Sequence, residues 1–431
     1  MKKQRIHYYL SLMMIFFMAA AGGYRQFPAA EAHKKKPAPV KPVVQTVPAA
    51  PEKVRLGIDN IDQYLSLFAG KRVGLITNQT GIDSEYRSSI DVLKAKTNLV
   101  ALYSPEHGIR GHVTAGKGVD SARDPKTGLP VYSLYGATKK PTPEMLEDID
   151  VLVFDIQDVG ARFYTYIYTM AYAMQSCAEQ GKTFVVLDRP NPVGGEIVEG
   201  GTVKPGFTSF IGLYPIPMRH GLTVGELAQL FNTEYGIGCQ LAVVPMQGWK
   251  RSMFYEETGA PWVLTSPNIP TPDTAVVYSG TGIFGGTNVS EGVGTTRPFE
   301  FVGAPWLDAL ELADYMNKLA LPGVVFRPAY FTPQYSKQQG NVCGGVQIHV
   351  TDKRAYRAVK TGVYLLAAIK ELSGDKFHLS RPGNPAQETI DLAVGDDSLS
   401  KGVFTPAELL QKWEQEAEAF KQISKKYYLY Q

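Results

Sequence analysis

The sequence predicts a two-domain α/β protein: a Rossmann-like, doubly wound and mostly parallel sheet, followed by a smaller α+β domain. Short apolar runs alternate with helical segments from residue 54 to about residue 250, an order typical of buried parallel strands connected by helices. Beyond Trp249 a segment rich in Gly, Pro, Thr and Ser follows. We place the boundary near residue 300, so the predicted domains cover residues 54–300 and 301–431.

The residues before the first domain differ from the rest. Residues 1–32 begin with basic side chains, continue with an apolar run and end in small residues, as a secretory signal peptide does. Residues 33–53 are rich in Lys and Pro and predict an extended linker, which could be a plain spacer or could attach electrostatically to an anionic cell wall or membrane surface. We expect a secreted protein that is associated with the cell wall.

Charge and cysteine content exclude several function classes. Residues 1–53 carry 9 basic and 2 acidic side chains, whereas the whole chain carries 44 and 41, so the remainder has a net charge of −4. This balance gives no argument for nucleic-acid binding. The chain has three cysteines (Cys177, Cys239 and Cys343), which allow at most one disulfide. No two of them form a C-x-x-C motif, so a cysteine-based zinc site is improbable.

The elements of the first domain follow from the apolar runs and their boundaries. Predicted strands, some with the loop that follows, cover residues 71–79, 98–108, 150–158, 183–195 and 239–246. Predicted helices cover residues 84–96, 142–149, 162–181 and 222–236. We expect Thr142 to cap the second of these helices and Gly181 to end the third.

The second half is less regular. Residues 265–306 predict long functional loops or a linker, with a strand-like run at residues 275–279. The G-x-G-x-x-G pattern at 280–285 lies far from the first strand–helix unit, so a dinucleotide site is not expected. Further predicted elements are a helix at 307–320, strands at 324–333 and 343–350, and helices near 353–372 and 405–424.

Polar side chains follow four of the predicted strands. They include Asn78, Glu106, Asp155 and Asn191. Ligands of doubly wound sheets bind beyond the carboxyl ends of the strands. The sequence therefore predicts a ligand site at this edge of the sheet.

Glu106 is the first candidate for chemistry. It follows a buried strand in the segment "LYSPEHGIRG", and a carboxyl group on such a loop can act as a general acid. His107 and Arg110 could orient it or bind an anion. The alternative is an ion pair between Glu106 and Arg110 that only fixes the loop.

A second candidate group follows the strand at 150–158. Asp155 or Asp158 could act as a second acid or base or recognise a hydroxyl group, with Arg162 and Tyr164 nearby to bind and stack on a sugar. The alternative is a structural ion pair between one carboxylate and Arg162.

Two further segments complete the predicted rim. Residues 188–192 predict a turn, and Asn191 could still bind ligand there. In the loop at 288–300, Asn288, Glu291 and Arg297 could contact substrate, since arginine binds carboxylates with two parallel hydrogen bonds. The alternative for that loop is a crossover between domains.

Cofactors and metals are not expected. His107, His112 and Asp120 could ligate a metal, but the helical H-E-x-x-H pattern is absent. No G-x-S-x-G motif and no P-loop are present either.

Several segments together resemble one family, the exo-β-N-acetylmuramidases (NamZ/YbbC-like, formerly a domain of unknown function). They are "GLITNQTG", "LYSPEHGIRG", "FDIQDVGARFYTYIYTM", "VLDRPNPVGG", "PMRHGLTVGELA" and "NVSEGVGTTRPFE". The resemblance covers roughly residues 54 to 431. It implies a Rossmann-like domain and a smaller domain with the active site between them.

The activity that the resemblance implies is release of terminal β-1,4-linked N-acetylmuramic acid from the non-reducing end of peptidoglycan fragments. Glu106 matches the glutamate proposed as catalytic in the family. The second group stays open between Asp155, Asp158 and Glu291, acting as base or nucleophile, and the substrate's own acetamido oxygen.

The sugar's lactyl carboxylate requires a cation, and the candidates are Arg110, Arg162 and Arg297. The competing interpretation is a non-catalytic protein that binds peptidoglycan or sugars at the cell wall.

Overall fold

The computed structural model describes residues 53–110, 122–379 and 386–431, which belong to one compact unit. The predicted signal peptide and all of the predicted linker except Lys53 lie outside these residues. Within the described ranges, no helix combines the length and the apolar character needed to cross a membrane.

A seven-stranded sheet forms the larger part of the fold. Its strands are β1 (Arg72–Thr77), β2 (Asn98–Ser104), β3 (Ala122–Arg123), β4 (Pro130–Ser133), β5 (Val151–Asp155), β6 (Thr183–Leu187) and β7 (Gln240–Val244). They lie in the order β3-β4-β2-β1-β5-β6-β7. Neighbouring strands are parallel, except that β3 runs antiparallel to β4 at one edge. The prediction of a mostly parallel sheet is confirmed.

Helices cover both faces of this sheet. They are α1 (Ser89–Lys96), α2 (Pro143–Leu146), α3 (Tyr166–Glu179) and α4 (Val224–Glu234), with 3₁₀ helices at Ile58–Leu67 and Tyr255–Thr258. Side chains of a strand point alternately to the two faces. In β5, Val151 and Val153 pack with α1, whereas Leu152 and Phe154 pack with α3 and α4. Burial on both faces explains why these strands are continuous apolar runs.

The predicted helix ends are confirmed. The Thr142 hydroxyl accepts a hydrogen bond from the Met145 N–H at the start of α2. Gly181 follows α3 with a positive φ of 61°, a conformation that glycine adopts without strain.

A smaller antiparallel sheet and further helices form the rest. Its strands are β8 (Phe301–Ala304), β9 (Val324–Phe331) and β10 (Cys343–Val350), in the order β8-β10-β9. The helices are α5 (Pro272–Thr281), α6 (Ala309–Lys318), α7 (Ala358–Ser373), α8 (Ala386–Val394), α9 (Ser398–Lys401) and α10 (Pro406–Ser424), with 3₁₀ helices at Gly282–Gly286, Gly374–Lys376 and Lys425–Tyr427. The predicted second, smaller α+β part is confirmed.

The prediction of a strand at residues 275–279 is wrong, because these residues lie inside α5. Thr271 caps this helix and Pro272 occupies its first turn, both of which favour a helix start. The helix crosses α7 closely, because a Cβ on Gly280 would lie 1.9 Å from the backbone oxygen of Ala358. A run of buried β-branched residues fits a buried helix as well as a strand.

Strands β3 and β4 were not predicted from the sequence. β3 has 2 residues and β4 has 4, starting with Pro130. Such short strands at the side of a sheet show no apolar periodicity, and proline is tolerated at a first strand position.

The last residues of the chain pack back against the first domain. The Tyr430 hydroxyl donates to Asp188 Oδ2 (2.6 Å) and accepts from the Met246 N–H (2.9 Å). The Arg251 N–H donates to the Gln431 backbone oxygen (3.0 Å). The end of β6, where Asp188 lies, is therefore completed by a distant part of the chain.

Candidate active site

The loops after β1, β2 and β5 meet at one edge of the larger sheet. β1 lies between the other two strands, and the register pairs Ile76 with Tyr103 and Thr77 with Asp155. The chain leaves β1 towards β2 and later returns on the other side at β5. Such a reversal of strand order is where open α/β sheets bind ligands.

A tight turn at the end of β2 presents Glu106. His107 and Gly108 both have positive φ, 73° and 80°, and the Gly108 N–H donates to the Pro105 oxygen (3.1 Å). A positive φ is uncommon for residues other than glycine, and such strain concentrates at functional sites. The turn buries His107 and leaves Glu106 partly exposed.

Two hydroxyl groups contact the Glu106 carboxylate. The Thr165 Oγ1 donates to Glu106 Oε2 at 2.8 Å, and the Tyr135 hydroxyl also hydrogen-bonds with Glu106. Burial, followed by the negative charge of Glu106, raises the pKa of Tyr135. Thr165 immediately precedes α3, so the start of that helix fixes the orientation of the carboxylate.

Three tyrosines lie near Glu106: Tyr164 and Tyr166 are buried, and Tyr278 is partly exposed. The ring of Tyr164 is 4.9 Å from that of Tyr166 and 5.9 Å from that of Tyr278, both edge to face. Burial, with a further contribution from the charge of Glu106, raises the pKa of all three hydroxyls. Tyr164 donates to the Thr265 hydroxyl (3.0 Å) and Tyr166 to the backbone oxygen of Thr265 (2.7 Å). The tyrosines therefore remain protonated.

Asp158 follows β5 by three residues and lies near two of these tyrosines, Tyr164 and Tyr278. One of its oxygens accepts a backbone N–H, and the other has no hydrogen-bond partner among the described residues. Burial raises the pKa of Asp158 to about 7. The negative charge of Asp158, like that of Glu106, helps to raise the pKa of Tyr164 and Tyr278. His220 Nε2 lies 3.9 Å from Asp158, and burial lowers the pKa of His220 to about 3, so this imidazole is neutral near pH 7.

The third carboxylate, Glu291, is paired with a lysine. Lys337 forms an ion pair with Glu291, and both side chains are almost completely buried. The negative charge of Glu291 helps to raise the pKa of the Tyr278 hydroxyl. The Glu291–Lys337 pair therefore lies near the tyrosines. Lys337 comes from the loop after β9, so the smaller domain contributes to this site.

Comparison with known proteins identifies the family. The models "Exo-beta-N-acetylmuramidase NamZ, N-terminal" and "C-terminal" match residues 73–273 and 276–430. The chain is 49% identical over 384 residues to the peptidoglycan beta-N-acetylmuramidase NamZ of Bacillus subtilis (strain 168), covering 88% of this chain and 92% of that protein. The chain belongs to the NamZ family.

Solved structures of related sequence have the same fold. A crystal structure of a DUF1343 family protein from Bacteroides fragilis NCTC 9343 has 43% sequence identity and a TM-score of 0.82. A second DUF1343 protein from the same organism has 31% identity and a TM-score of 0.71. Each comparison covers 88% of this chain and 99% of the other.

In this NamZ-family chain, Asn78 joins the residues already described. Its Oδ1 accepts from the N–H and the hydroxyl of Thr80 (2.9 and 2.6 Å). Its Nδ2 is buried and has no hydrogen-bond partner within the described residues. The Asn78 side chain also lowers the pKa of the Tyr166 hydroxyl, against the larger effect of burial. Of the predicted residues, the fold thus gathers Asn78, Glu106, Asp158, Tyr164 and Glu291.

Asp155 has a different environment from its neighbour Asp158. Arg189 Nε and Nη2 donate to its two oxygens at 2.6 and 2.8 Å, and both side chains are almost completely buried. The Ser89 hydroxyl adds a further hydrogen bond. These contacts favour a structural role for Asp155 over the catalytic role expected from the sequence.

Arg162 pairs with neither predicted carboxylate. Its guanidinium is completely buried, and burial lowers its pKa to about 10. It donates at 2.5–2.8 Å to four backbone oxygens, those of Gly201, Ile216, Ala393 and Val394. The geometry therefore favours a structural role that ties α8 to the first domain, and neither sequence-based interpretation anticipated it.

Two predicted asparagines bind backbone groups. Asn191 donates to the Leu222 oxygen (2.9 Å) and accepts from the Val193 N–H (3.1 Å). Asn288 contacts backbone groups of residues 376 and 378. Both side chains fix loops, in line with the turn and crossover alternatives.

The two remaining predicted arginines form ion pairs near the surface. Arg110 pairs with Asp124 (2.6 Å) and Arg297 with Glu300 (3.3 Å). The expected alternative pairing of Arg110 with Glu106 is replaced by the one with Asp124. The pKa of Asp124 is lowered: burial opposes this, and the hydrogen bonds from Thr127 and Arg110 outweigh it.

Sequence reasoning missed five residues of the site. They are Tyr135, Thr165, His220, Tyr278 and Lys337. Thr165 and His220 stand inside motifs quoted above but carried no assigned role, and Tyr278 was hidden by the wrong strand assignment. Nothing in the local sequence marks Tyr135 or Lys337.

Metal ligands are not gathered at this edge. In residues 53–110, 122–379 and 386–431, no group of at least three His, Cys, Asp or Glu side chains could hold a metal ion. His112 and Asp120 lie outside the described residues. The three cysteines are buried free thiols.

Proposed function

We propose that this protein is an exo-acting glycoside hydrolase that releases terminal β-1,4-linked N-acetylmuramic acid from the non-reducing end of peptidoglycan fragments. Membership of the NamZ family and the similarity to the Bacillus subtilis peptidoglycan beta-N-acetylmuramidase support this reaction. The observation that carries the catalytic assignment is Glu106, which is partly exposed and oriented by the hydroxyls of Thr165 and Tyr135.

Glu106 is the general acid of this proposal. It gives its proton to the glycosidic oxygen while the bond between that oxygen and the sugar's anomeric carbon breaks. The bonding electron pair stays with the leaving sugar. Because Thr165 and Tyr135 both hydrogen-bond with the carboxyl group, little reorientation is needed when the proton moves.

Asp158 is the second carboxyl group. Glu291 is paired with Lys337 and Asp155 with Arg189, whereas Asp158 keeps an oxygen without a partner among the described residues. In this role it positions the attacking group, either water in an inverting reaction or the substrate's acetamido oxygen in a retaining one. The configuration of the released sugar, followed by NMR at early times, distinguishes the two.

Arg110 is the proposed partner of the lactyl carboxylate. It lies four residues after Glu106 on the same loop, and its side chain is 47% exposed. Its ion pair with Asp124 uses Nη2, and a guanidinium carries five N–H donors.

Secretion and cell-wall association belong to the same proposal. The sequence of residues 1–32 supports export, and the basic residues 33–53 support electrostatic attachment to the wall. N-terminal sequencing of protein recovered from culture medium and from wall fractions tests both. Protein retained in the cytoplasm with an intact N-terminus contradicts them.

The deciding experiment measures free N-acetylmuramic acid released from MurNAc-β-1,4-GlcNAc. We compare the wild type, Glu106→Gln and Glu418→Gln, the last changing an exposed glutamate on α10. We expect release by the wild type and Glu418→Gln, and a loss of about 10²–10⁴-fold in Glu106→Gln. Equal release by all three would move the acid elsewhere. Binding of the disaccharide without release by the wild type would instead indicate the non-catalytic wall-binding protein.

A further inference from the structure

A row of aromatic rings extends away from Glu106. The Tyr135 ring lies 6.2 Å from that of Phe210, and Phe210 stacks on Tyr172 with centroids 5.9 Å apart and an interplanar angle of 2°. The Lys139 ammonium lies 4.7 Å from the centre of the Phe210 ring. We call Tyr135, Phe210, Tyr172 and Lys139 the aromatic platform.

The aromatic platform differs from the core aromatics. Its three rings are partly exposed, whereas Tyr166 is 1% exposed and Tyr168 is completely buried on the same helix. The platform residues come from three separate segments: the loop after β4, helix α3 and the connection between β6 and α4. Partly exposed aromatic side chains that gather beside a reactive group are typical of binding surfaces.

The aromatic platform is continuous with the candidate active site. The Tyr135 hydroxyl contacts Glu106, so one end of the platform touches the proposed general acid. Tyr172 lies seven residues beyond Thr165 along α3, which corresponds to about 10 Å of helix at 1.5 Å per residue. This is the length scale of a short oligosaccharide.

We propose that the aromatic platform binds the leaving-group side of the glycan. The sugar next to the cleaved bond stacks on Tyr135 and Phe210, and Lys139 pairs with the carboxylate of the next muramic acid along the chain. This inference rests on the proposed function.

The position of the general acid carries this assignment. Glu106 protonates the oxygen that stays with the leaving sugar, so that sugar lies against Glu106 and the ring that contacts it. The faces of pyranose rings carry C–H groups that pack on aromatic rings, and the exposed ammonium supplies the charge that a carboxylate requires. Chain length beyond the disaccharide therefore adds contacts only on the aromatic platform.

The test compares three substrates that fill successive positions. They are methyl β-N-acetylmuraminide, whose leaving group is too small to stack on Phe210, the disaccharide MurNAc-GlcNAc and the tetrasaccharide MurNAc-GlcNAc-MurNAc-GlcNAc. For Phe210→Ala we expect kcat/KM on both saccharides to fall about tenfold, with little change on the methyl glycoside. For Lys139→Met, which keeps the aliphatic contact with the ring, we expect a loss of about threefold on the tetrasaccharide alone.

Phe404→Ala is the matched control. Phe404 is another exposed ring with a lysine above it, Lys412 at 5.3 Å, on the smaller domain. We expect it to leave all three substrates unaffected, and thermal melting checks that each variant is folded. Equal relative losses of Phe210→Ala on all three substrates, or none on any, overturn the proposal.

A failure of the proposed function gives a different result. In that case the wild type cleaves none of the three substrates, and equilibrium binding of the tetrasaccharide replaces turnover. Binding that Phe210→Ala weakens about tenfold supports the aromatic platform without catalysis. Binding that both platform variants leave unchanged overturns it.

Discussion

Glu106 and Asp155 are both acidic residues at the ends of buried parallel strands, yet their surroundings are opposite. Asp155 is completely buried and forms two hydrogen bonds with the guanidinium of Arg189. Glu106 is partly exposed and hydrogen-bonds with the hydroxyl groups of Thr165 and Tyr135. The comparison teaches that an acid after a strand is a weak functional signal until the groups on the neighbouring strands are known.

The neighbouring strands explain the difference. β5 lies beside β6, whose end supplies Arg189, so the two opposite charges neutralise each other inside the protein. β2 lies beside β4, whose following loop supplies Tyr135, and α3 supplies Thr165. A carboxylate between hydroxyl groups at a partly exposed position can exchange protons, whereas a buried ion pair with full hydrogen bonding mainly fixes the structure.

The largest effect on stability is expected from Asp155→Asn. It leaves the Arg189 charge buried without its counter-ion, which should lower the free energy of unfolding by about 3–5 kcal/mol. Glu106→Gln should change it by less than about 1 kcal/mol while lowering activity by about 10²–10⁴-fold. Urea denaturation of both variants measures the contrast.

The double variant Asp155→Leu/Arg189→Met sharpens the same comparison. Removing both charges should restore part of the stability lost in Asp155→Asn, because buried ion pairs are often replaceable by apolar side chains. An equal loss of stability in Glu106→Gln and Asp155→Asn would contradict the assignment of different roles.

Asp158→Asn is expected to change how stability depends on pH. The pKa of Asp158 in the folded protein is about 7, above the usual value of 3.8, so the folded state binds more protons between these values. The free energy of unfolding of the wild type therefore falls as pH rises from about 4 to 7, and that of the variant lacks this fall. The difference should approach about 4 kcal/mol at pH 8 at most.

Urea denaturation at pH 4, 6 and 8 measures this difference. The low pKa of His220 changes stability in the opposite direction. The folded state disfavours the protonated imidazole, so the free energy of unfolding falls as pH falls from about 6.5, the usual pKa of histidine, to about 3. It is present in both proteins, so the comparison with the wild type removes it to first order. A difference that does not grow with pH would contradict the burial of an uncompensated Asp158.

Thr165→Val is expected to have a moderate effect on activity. It removes the hydrogen bond to Glu106 without changing the size of the side chain, so kcat should fall about tenfold with KM little changed. Thr169→Val is the control, since its buried hydroxyl, one turn along the same helix, has no partner among the described residues. Equal losses in the two variants would indicate a structural effect.

The smallest effect on stability is expected from Arg110→Ala. The Arg110 side chain is 47% exposed and that of Asp124 is buried, but Asp124 keeps its hydrogen bonds from Thr127, so we expect the free energy of unfolding to fall by only about 1 kcal/mol. If Arg110 binds the lactyl carboxylate, KM for the disaccharide rises about tenfold, although stability hardly changes. An unchanged KM would remove Arg110 from substrate recognition.

Much of the fold could be predicted because it depends on local patterns. Alternating apolar runs identified the parallel sheet, and Thr142 and Gly181 marked two helix ends. The position of Glu106 also followed from the sequence, since the carboxyl end of a buried strand is a local feature.

The partners of the site residues could not be predicted in the same way. Arg189 meets Asp155 only because β5 and β6 are neighbours in register, and the four backbone oxygens around Arg162 come from distant segments. Tyr278 was missed because two adjacent valines before it fit a buried strand and a buried helix equally.

The contact between Tyr430 and Asp188 has a consequence for how the protein is made. The two residues are 242 positions apart. At a translation rate of about 5–20 residues per second, Tyr430 is therefore synthesised about 10–50 s after Asp188. Throughout that time the end of β6 is incomplete, and long-range contacts of this kind also slow folding. The growing chain therefore completes this end of β6 only after Tyr430 has been synthesised.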